Sequence, residues 1–225
     1  MSALAALAPA PSLRSDAQRN HEALLEAAAT AFAEGGVDVP AGEIARRAGV
    51  AKGTLFRHFP TKRDLLGAVL AHRMRTLRAM IEEVVAESPP GLAAVSALMM
   101  RGAAMLAADR SFFDAAMRES ANASELTGVK LELVAALDEL AAAAQSVGEL
   151  RDDVNGVDLA MLMMAATNTC APAGAVGQEL WRRYLALMLD GLRPEAAREL
   201  PLPAPSTLAT VEPIESLARA PGAGA

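Results

Sequence analysis

The residues whose types and spacing can do chemistry are concentrated between Glu43 and Phe59 of this 225-residue chain. Lys52, Gly53, Thr54, Arg57 and His58 fall on the outward side of a short helix expected to begin near Ala51. An ammonium, a hydroxyl, a guanidinium and an imidazole make a donor-rich, positively charged face, suited to contacting a polyanion. Catalytic patterns are absent from the sequence: there is no zinc-ligand spacing, no Gly-x-Ser-x-Gly elbow and no phosphate loop. The three histidines, His21, His58 and His72, all lie in or beside this same basic region. The single cysteine, Cys170, has no resolving cysteine and no local basic cluster to activate it, so it reads as a buried structural thiol. No enzyme, metal or cofactor is expected.

Two short helices must position the outward set. Pro40 suits the first turn of one, with Ile44, Ala45 and Ala48 on its core face. Gly49 supplies a tight turn, and Val50 is expected to bury itself beneath it. The second helix carries Leu55, Phe56 and Phe59 on its inner side, and Pro60 stops it. Ala45 is small enough for the two helices to approach closely. A preceding helix, opened by the capping-box pattern Ser15-Asp16-Ala17-Gln18, offers Leu24, Leu25, Ala28 and Phe32 and stops at Gly35-Gly36. This is helix-turn-helix geometry, in which the second helix lies in the DNA major groove with its N-terminal residues at base edges.

Charge agrees once it is divided along the chain. The net charge of −6 is uneven. Residues 14–78 hold eleven Lys and Arg against seven Asp and Glu, whereas the rest holds ten against twenty. A basic module therefore precedes an acidic body. With 52% hydrophobic and only 3% aromatic residues, the core must be built from Ala, Leu, Val and Met, which favours helix over sheet. The longest apolar runs are broken by Arg101, Asp109 or Asn168, short of the ~18–20 residues of a membrane span. Met1–Leu13 has no basic residue before Arg14, against a secretory leader, and a cytoplasmic location is expected.

Thr61 and Asp64 suit the start of a fourth helix running to about Glu87, before Pro89-Pro90-Gly91. Further helical stretches are expected at about 92–108, 111–121, 125–146, 157–170 and 176–192. The expected organisation is all-α. It comprises a flexible arm at 1–13, a three-helix DNA-binding domain at 14–60, a helical effector-binding and dimerisation domain at 61–192, and a Pro/Ala-rich, mostly disordered tail at 193–225. A turn of helix is expected near Glu195–Leu200.

Residues 19–70 resemble the DNA-binding domain of the TetR family of transcriptional regulators. The resemblance rests on the Leu-x-x-Ala-Ala stretch before Phe32, Gly36, Ile44-Ala45-x-x-Ala48-Gly49-Val50, Gly53-Thr54-Leu55-Phe56-x-His58-Phe59 and Lys62-x-x-Leu65. It implies DNA contacts from Lys52, Gly53, Thr54, Phe56, Arg57, His58, Lys62 and Arg47. Lys52 and Arg57 are placed to donate to guanine, Thr54 to meet a base or phosphate, and Lys62 to grip a phosphate. His58 has a second reading as a helix-end hydrogen-bonding residue, and Arg47 as part of a solvated face with Arg46. Two positions depart from the family pattern. Phe56 stands where tyrosine is common, and Ala51 where a hydroxyl residue is common, so a phosphate contact and a cap are lost.

The resemblance further implies a dimer formed through the last two long helices. Leu159, Leu162, Met163 and Ala166 form one apolar stripe there, and Trp181, Leu185, Met188 and Leu189 another; internal core is the competing reading. It also implies a small-molecule pocket, for which Met99, Met100, Met105, Phe112, Phe113, Met117 and Met164 are candidates, with Asn168 as a hydrogen-bonding group. Methionine suits adaptable pockets, but it also fills an aromatic-poor core. The function implied is a repressor that binds a near-palindromic operator in double-stranded DNA as a homodimer. A small apolar or amphipathic effector would release it. The alternative is an effector-independent architectural or accessory DNA-binding dimer.

Overall fold

Apolar side chains at three- and four-residue spacing give Leu24, Leu25, Ala28, Ala31 and Phe32 one face, and all five are buried along α1, Leu13–Gly35. The computed structural model describes residues 13–108, 112, 113, 116, 124–168 and 179–206, to which all structural statements refer. After α1 come α2 (Ala41–Arg47), α3 (Lys52–His58), α4 (Lys62–Glu87), α5 (Leu92–Ala108), α6 (Ser124–Ser146), α7 (Gly156–Asn168) and α8 (Leu180–Gly191), then a 3-10 turn at Pro194–Ala196. Among the described residues there is no strand, and no helix is long and apolar enough to cross a membrane. The chain is all-α.

Local signals set most boundaries. Gly36 and Gly49 adopt φ of 72° and 69°, left-handed backbone that a side chain would strain, and they close α1 and the α2–α3 turn. Thr61 Oγ1 accepts from the Asp64 amide at 3.1 Å while Asp64 Oδ2 accepts from the Thr61 amide at 2.9 Å, a reciprocal cap that starts α4. One expected cap is not used: α1 begins at Leu13, so Ser15 lies inside the helix. Leu, Arg, Ala and Gln are good helix formers and carry the helix through the residue expected to start it.

Two apolar clusters result. The first joins α1, α2, α3 and the start of α4, with Phe32, Ile44, Leu55, Phe59 and Leu66 at its centre. The second joins the rest of α4 with α5 to α8, around Val95, Leu98, Met99, Leu137, Leu159 and Leu185. α4 belongs to both, and its 26 residues span about 39 Å, so it ties the two rigidly. Gly102 lets α5 press against its neighbours: a Cβ there would lie 2.7 Å from Met163 Sδ and 2.9 Å from Leu77 Cδ1.

Three expectations need correction. Phe112 is not part of the body. It is buried in the first cluster, stacked on Phe32 with ring centroids 5.6 Å apart and planes 10° from parallel, and Phe113 packs beside it. Phe112 and Ala116 thereby join the N-terminal core, which already holds Phe32 and Phe59. Second, the two stripes assigned to a dimer interface face inward. Leu159, Met163, Ala166, Trp181, Leu185 and Leu189 are buried in the second cluster, with Leu162 and Met188 half-buried against it. Each of these helices also carries large apolar residues on its outward side, so apolar character alone does not tell a core stripe from an interface stripe. The outward apolar residues are Met161 and Met164 on α7, and Tyr184 and Leu187 on α8.

The third correction concerns the tail. Its 3-10 turn is at Pro194–Ala196 rather than 195–200, and the chain beyond is fastened to the body. Arg151, buried and paired with Asp153, donates to the Gly191 and Arg198 carbonyls, and Asn155 Nδ2 donates to the Pro205 carbonyl at 2.9 Å. A chain without apolar periodicity is thus held through its backbone carbonyls. Residues 1–12 and 207–225 lie outside the described residues, as do Met117, Cys170 and most of the helix expected at 111–121.

Candidate nucleic-acid interface

α2 and α3 meet at a turn closed by backbone bonds, Gly49 N to Arg46 O at 3.2 Å and Val50 N to Ala45 O at 3.0 Å. Ile44 and Ala45 on α2, with Leu55 on α3 and Phe59 just after it, are buried against α1. That anchoring leaves the opposite side of α3 in water. Lys52, Gly53 and Arg57 are exposed, and Thr54 and His58 are half-buried. Phe56, expected on the inner side, is instead 43% exposed, with Lys52 Nζ 5.7 Å from its ring centroid. Leu55 and Phe59, four residues apart, already fill the inner stripe, and Phe56 falls a quarter-turn away. A Cβ added at Gly53 would meet nothing within 4 Å, so this face is open. Ala51 makes no side-chain cap.

Charge pairing divides the expected contacts. Arg47 is engaged by Glu34 at 2.6 Å and by Glu43 at 2.9 Å, and Arg46 by Glu43 at 2.7 Å. Hydrogen bonds from Arg46 and then Arg47 hold the Glu43 carboxyl down to about 2. Lys62 pairs with Asp38 at 2.9 Å. Lys52 and Arg57 make no ion pair among the described residues, and neither does exposed Arg63, a position the sequence reading passed over. Its signal was its place beside Lys62 at the start of α4. His58 is not a bare outward group: its ring lies 5.5 Å from His21 and 6.2 Å from Phe59. Among the described cations of the α2–α3 region and the α4 start, the outward, uncompensated ones are therefore Lys52 and Arg57 on α3 and Arg63 on α4, a surface able to meet phosphates and groove edges.

The residues expected to line a pocket do not converge as a group. Met99 is buried in the second cluster, Met100 and Met105 pack partly exposed against it, and Met164 faces outward. Phe112 and Phe113 belong to the first cluster. Asn168 ends α7, and its side chain is not among those described. Among the described residues no group of three or more His, Cys, Asp or Glu is arranged to hold a metal.

Residues 24–69 match the family model for bacterial regulatory proteins of the tetR family, and residues 89–194 match that for the C-terminal domain of SbtR-like transcriptional regulators. A TetR transcription regulatory protein from Mycobacterium vanbaalenii is 34% identical over 81% of this chain and 99% of its own, with a TM-score of 0.62. The chain belongs to the TetR family. A second TetR-family structure, the transcriptional regulator SCO0520 from Streptomyces coelicolor, is 29% identical over 77% of this chain and 98% of its own, with a TM-score of 0.60. This TetR-family chain is thus a DNA-binding transcriptional regulator, with the helix-turn-helix at its N-terminal end and a helical domain after it. In it α2 and α3 form the helix-turn-helix, and Arg47 ties α2 to Glu34 of α1.

Proposed function

We propose that the chain is a cytoplasmic repressor that binds a near-palindromic operator as a homodimer and leaves it when a small apolar or amphipathic molecule binds the body. The observation that carries this reading is the face of α3: Lys52 and Arg57 unpaired, Gly53 open, and the whole helix fastened through Leu55 and Phe59 to the core that α4 enters. One such helix reads only a few base pairs. Two, spaced about 34 Å apart by a dimer, supply useful affinity. The outward residues Met161, Met164, Tyr184 and Leu187 offer an apolar face on α7 and α8 for the second subunit.

Release requires that effector bind the DNA-incompetent arrangement more tightly, after which operator and effector weaken one another equally. α4, whose buried residues enter both clusters, links the body to the reading module. Complete burial of Met99 and Met163 favours a second reading, an effector-independent architectural dimer whose methionines fill a dry core. Selection of bound duplexes from a random pool at two salt concentrations tests the first reading. Enrichment of a palindrome with half-sites about one turn apart supports it. Salt-sensitive binding without enrichment, which reports phosphate contacts alone, overturns it in favour of the second.

A further inference from the structure

The inward stripe of α6 contains Leu126, Leu133, Leu137 and Leu140, all buried, and Lys130 stands in that stripe between the first two. Leu126 packs in the N-terminal cluster, whereas Leu133 and Leu137 pack in the body cluster. Lys130 therefore sits at the level where one core gives way to the other. On α4, which α6 packs against, Met74 stands at the same transition and touches both clusters. Lys130 is half-buried, and burial lowers its pKa. It makes no hydrogen bond or ion pair among the described residues. An ammonium withdrawn from water without a counter-charge is unfavourable, and a leucine here would continue the stripe. Of the half-buried adaptable side chains, Met74 packs against both clusters, Met105 against the body cluster and Phe113 against the N-terminal one.

We propose that Lys130 is the anion receptor of the effector site, taking an apolar chain that ends in a carboxylate or phosphate, with the chain lying along the seam between the two clusters. This rests on the effector-release reading above and narrows it from any apolar compound to an anionic amphiphile. The ammonium gains the charge-assisted hydrogen bonds it lacks, and the apolar chain takes up contacts with α4 at its passage between the modules. A ligand held there bears directly on the helix that sets the reading module.

The test uses the full chain with straight-chain probes from hexanoate to hexadecanoate, the matching alcohols and the matching alkyl phosphates, each below its micelle concentration. Binding is read by calorimetry and by the rise in melting temperature, for the wild type, Lys130→Met and Lys130→Arg. The expected result is binding of a carboxylate or phosphate with rejection of the equal-length alcohol. Lys130→Met should weaken that anion by about tenfold or more, whereas Lys130→Arg should retain it. The two anion series show which headgroup is preferred. Equal binding of alcohol and carboxylate, undiminished binding to Lys130→Met, or no binding by any probe would overturn the proposal. Operator binding measured alongside separates it from the reading beneath it. Lys130-dependent binding that leaves the operator bound supports the anion site and sinks effector release. Operator release by a compound indifferent to Lys130→Met does the reverse.

Discussion

α3 and α8 are both short helices with one face in a core and the other in water, and they differ in what the outer face carries. On α3 the inner residue is Leu55, and the outer face offers Lys52, Gly53 and Arg57. On α8 the inner face is Trp181, Leu185 and Leu189, and the outer face still shows Tyr184 at 42% and Leu187 at 55% exposure. The first outer face suits a hydrated polyanion; the second, with Tyr184 and Leu187 beside exposed Arg182 and Arg183, suits a mixed surface that is apolar in part. The outer face specifies the class of partner, and the inner face only holds the helix where that partner can reach it.

Substitution of one residue on each face of α8 tests this division most severely. Leu185 is fully buried, so Leu185→Ala should cost about 2–5 kcal/mol of protomer stability by leaving a cavity. Leu187→Glu should change protomer stability by less than about 1 kcal/mol, because its side chain is in water. The same substitution should raise the dimer dissociation constant by at least about a hundredfold, because it buries an unpaired charge at the proposed interface. Denaturation and sedimentation equilibrium measure the two effects. A Leu187→Glu protein that stays dimeric would place the interface elsewhere.

On α3 the expected loss is in binding alone. Lys52→Ala with Arg57→Ala removes two cations that no carboxylate engages among the described residues, and should cost about 2–4 kcal/mol of operator affinity while folding is unchanged. The slope of log affinity against log salt should fall by about two for two phosphate contacts, and by less where a base is contacted instead. Arg46→Ala with Arg47→Ala on α2 should cost much less, because both guanidiniums already hold Glu43. Equal losses from the two pairs would dissolve the distinction between reading and positioning helices. Gly53→Ala sharpens it further. Helix propensity should stabilise the fold by about 0.5–1 kcal/mol, since no atom lies within 4 Å of the added methyl, yet operator affinity should fall if DNA closes on that open face. A variant that is more stable and binds as well would show that Gly53 is remote from DNA.

The two helices also explain what was legible in the sequence. The placement of Lys52, Gly53, Thr54 and Arg57 was readable because polar residues alternate there with Leu55 and Phe59 at helical spacing, and because Gly36 and Gly49 mark the turns. The all-α class, the two-domain order and most of the helix limits followed from the same pattern. On α7 and α8 the apolar stripes were legible but their partner was not: a stripe such as Trp181, Leu185 and Leu189 suits a protomer core or an interface equally well, and only packing shows that it is buried within the chain. The return of Phe112 to Phe32 was not legible either: it joins residues eighty positions apart, and no local period encodes such a contact. Ion pairing on Arg47 and Lys62 was hidden for a like reason, since Glu34 and Asp38 lie 13 and 24 residues away.

The smallest expected effect concerns the helix that does not read. Glu43 accepts from Arg46 and from Arg47, and these hydrogen bonds hold its carboxyl at about 2 against an ordinary 4.5. A carboxyl held low in the folded chain contributes stability that is full above the unfolded value near 4.5 and is lost as pH falls through about 2. Glu43 therefore stays ionised throughout the neutral range, and its pairs with Arg46 and Arg47 are not lost to protonation there. The Glu43 side-chain carbonyl, followed by carbon NMR, should titrate near 2 in the wild type and move upward in Arg46→Ala, the larger of its two partners. A midpoint near 4.5 in the wild type would mean the pairs are not held in solution. Both arginines would then be available to phosphate, and the contrast between α2 and α3 would reduce to burial alone.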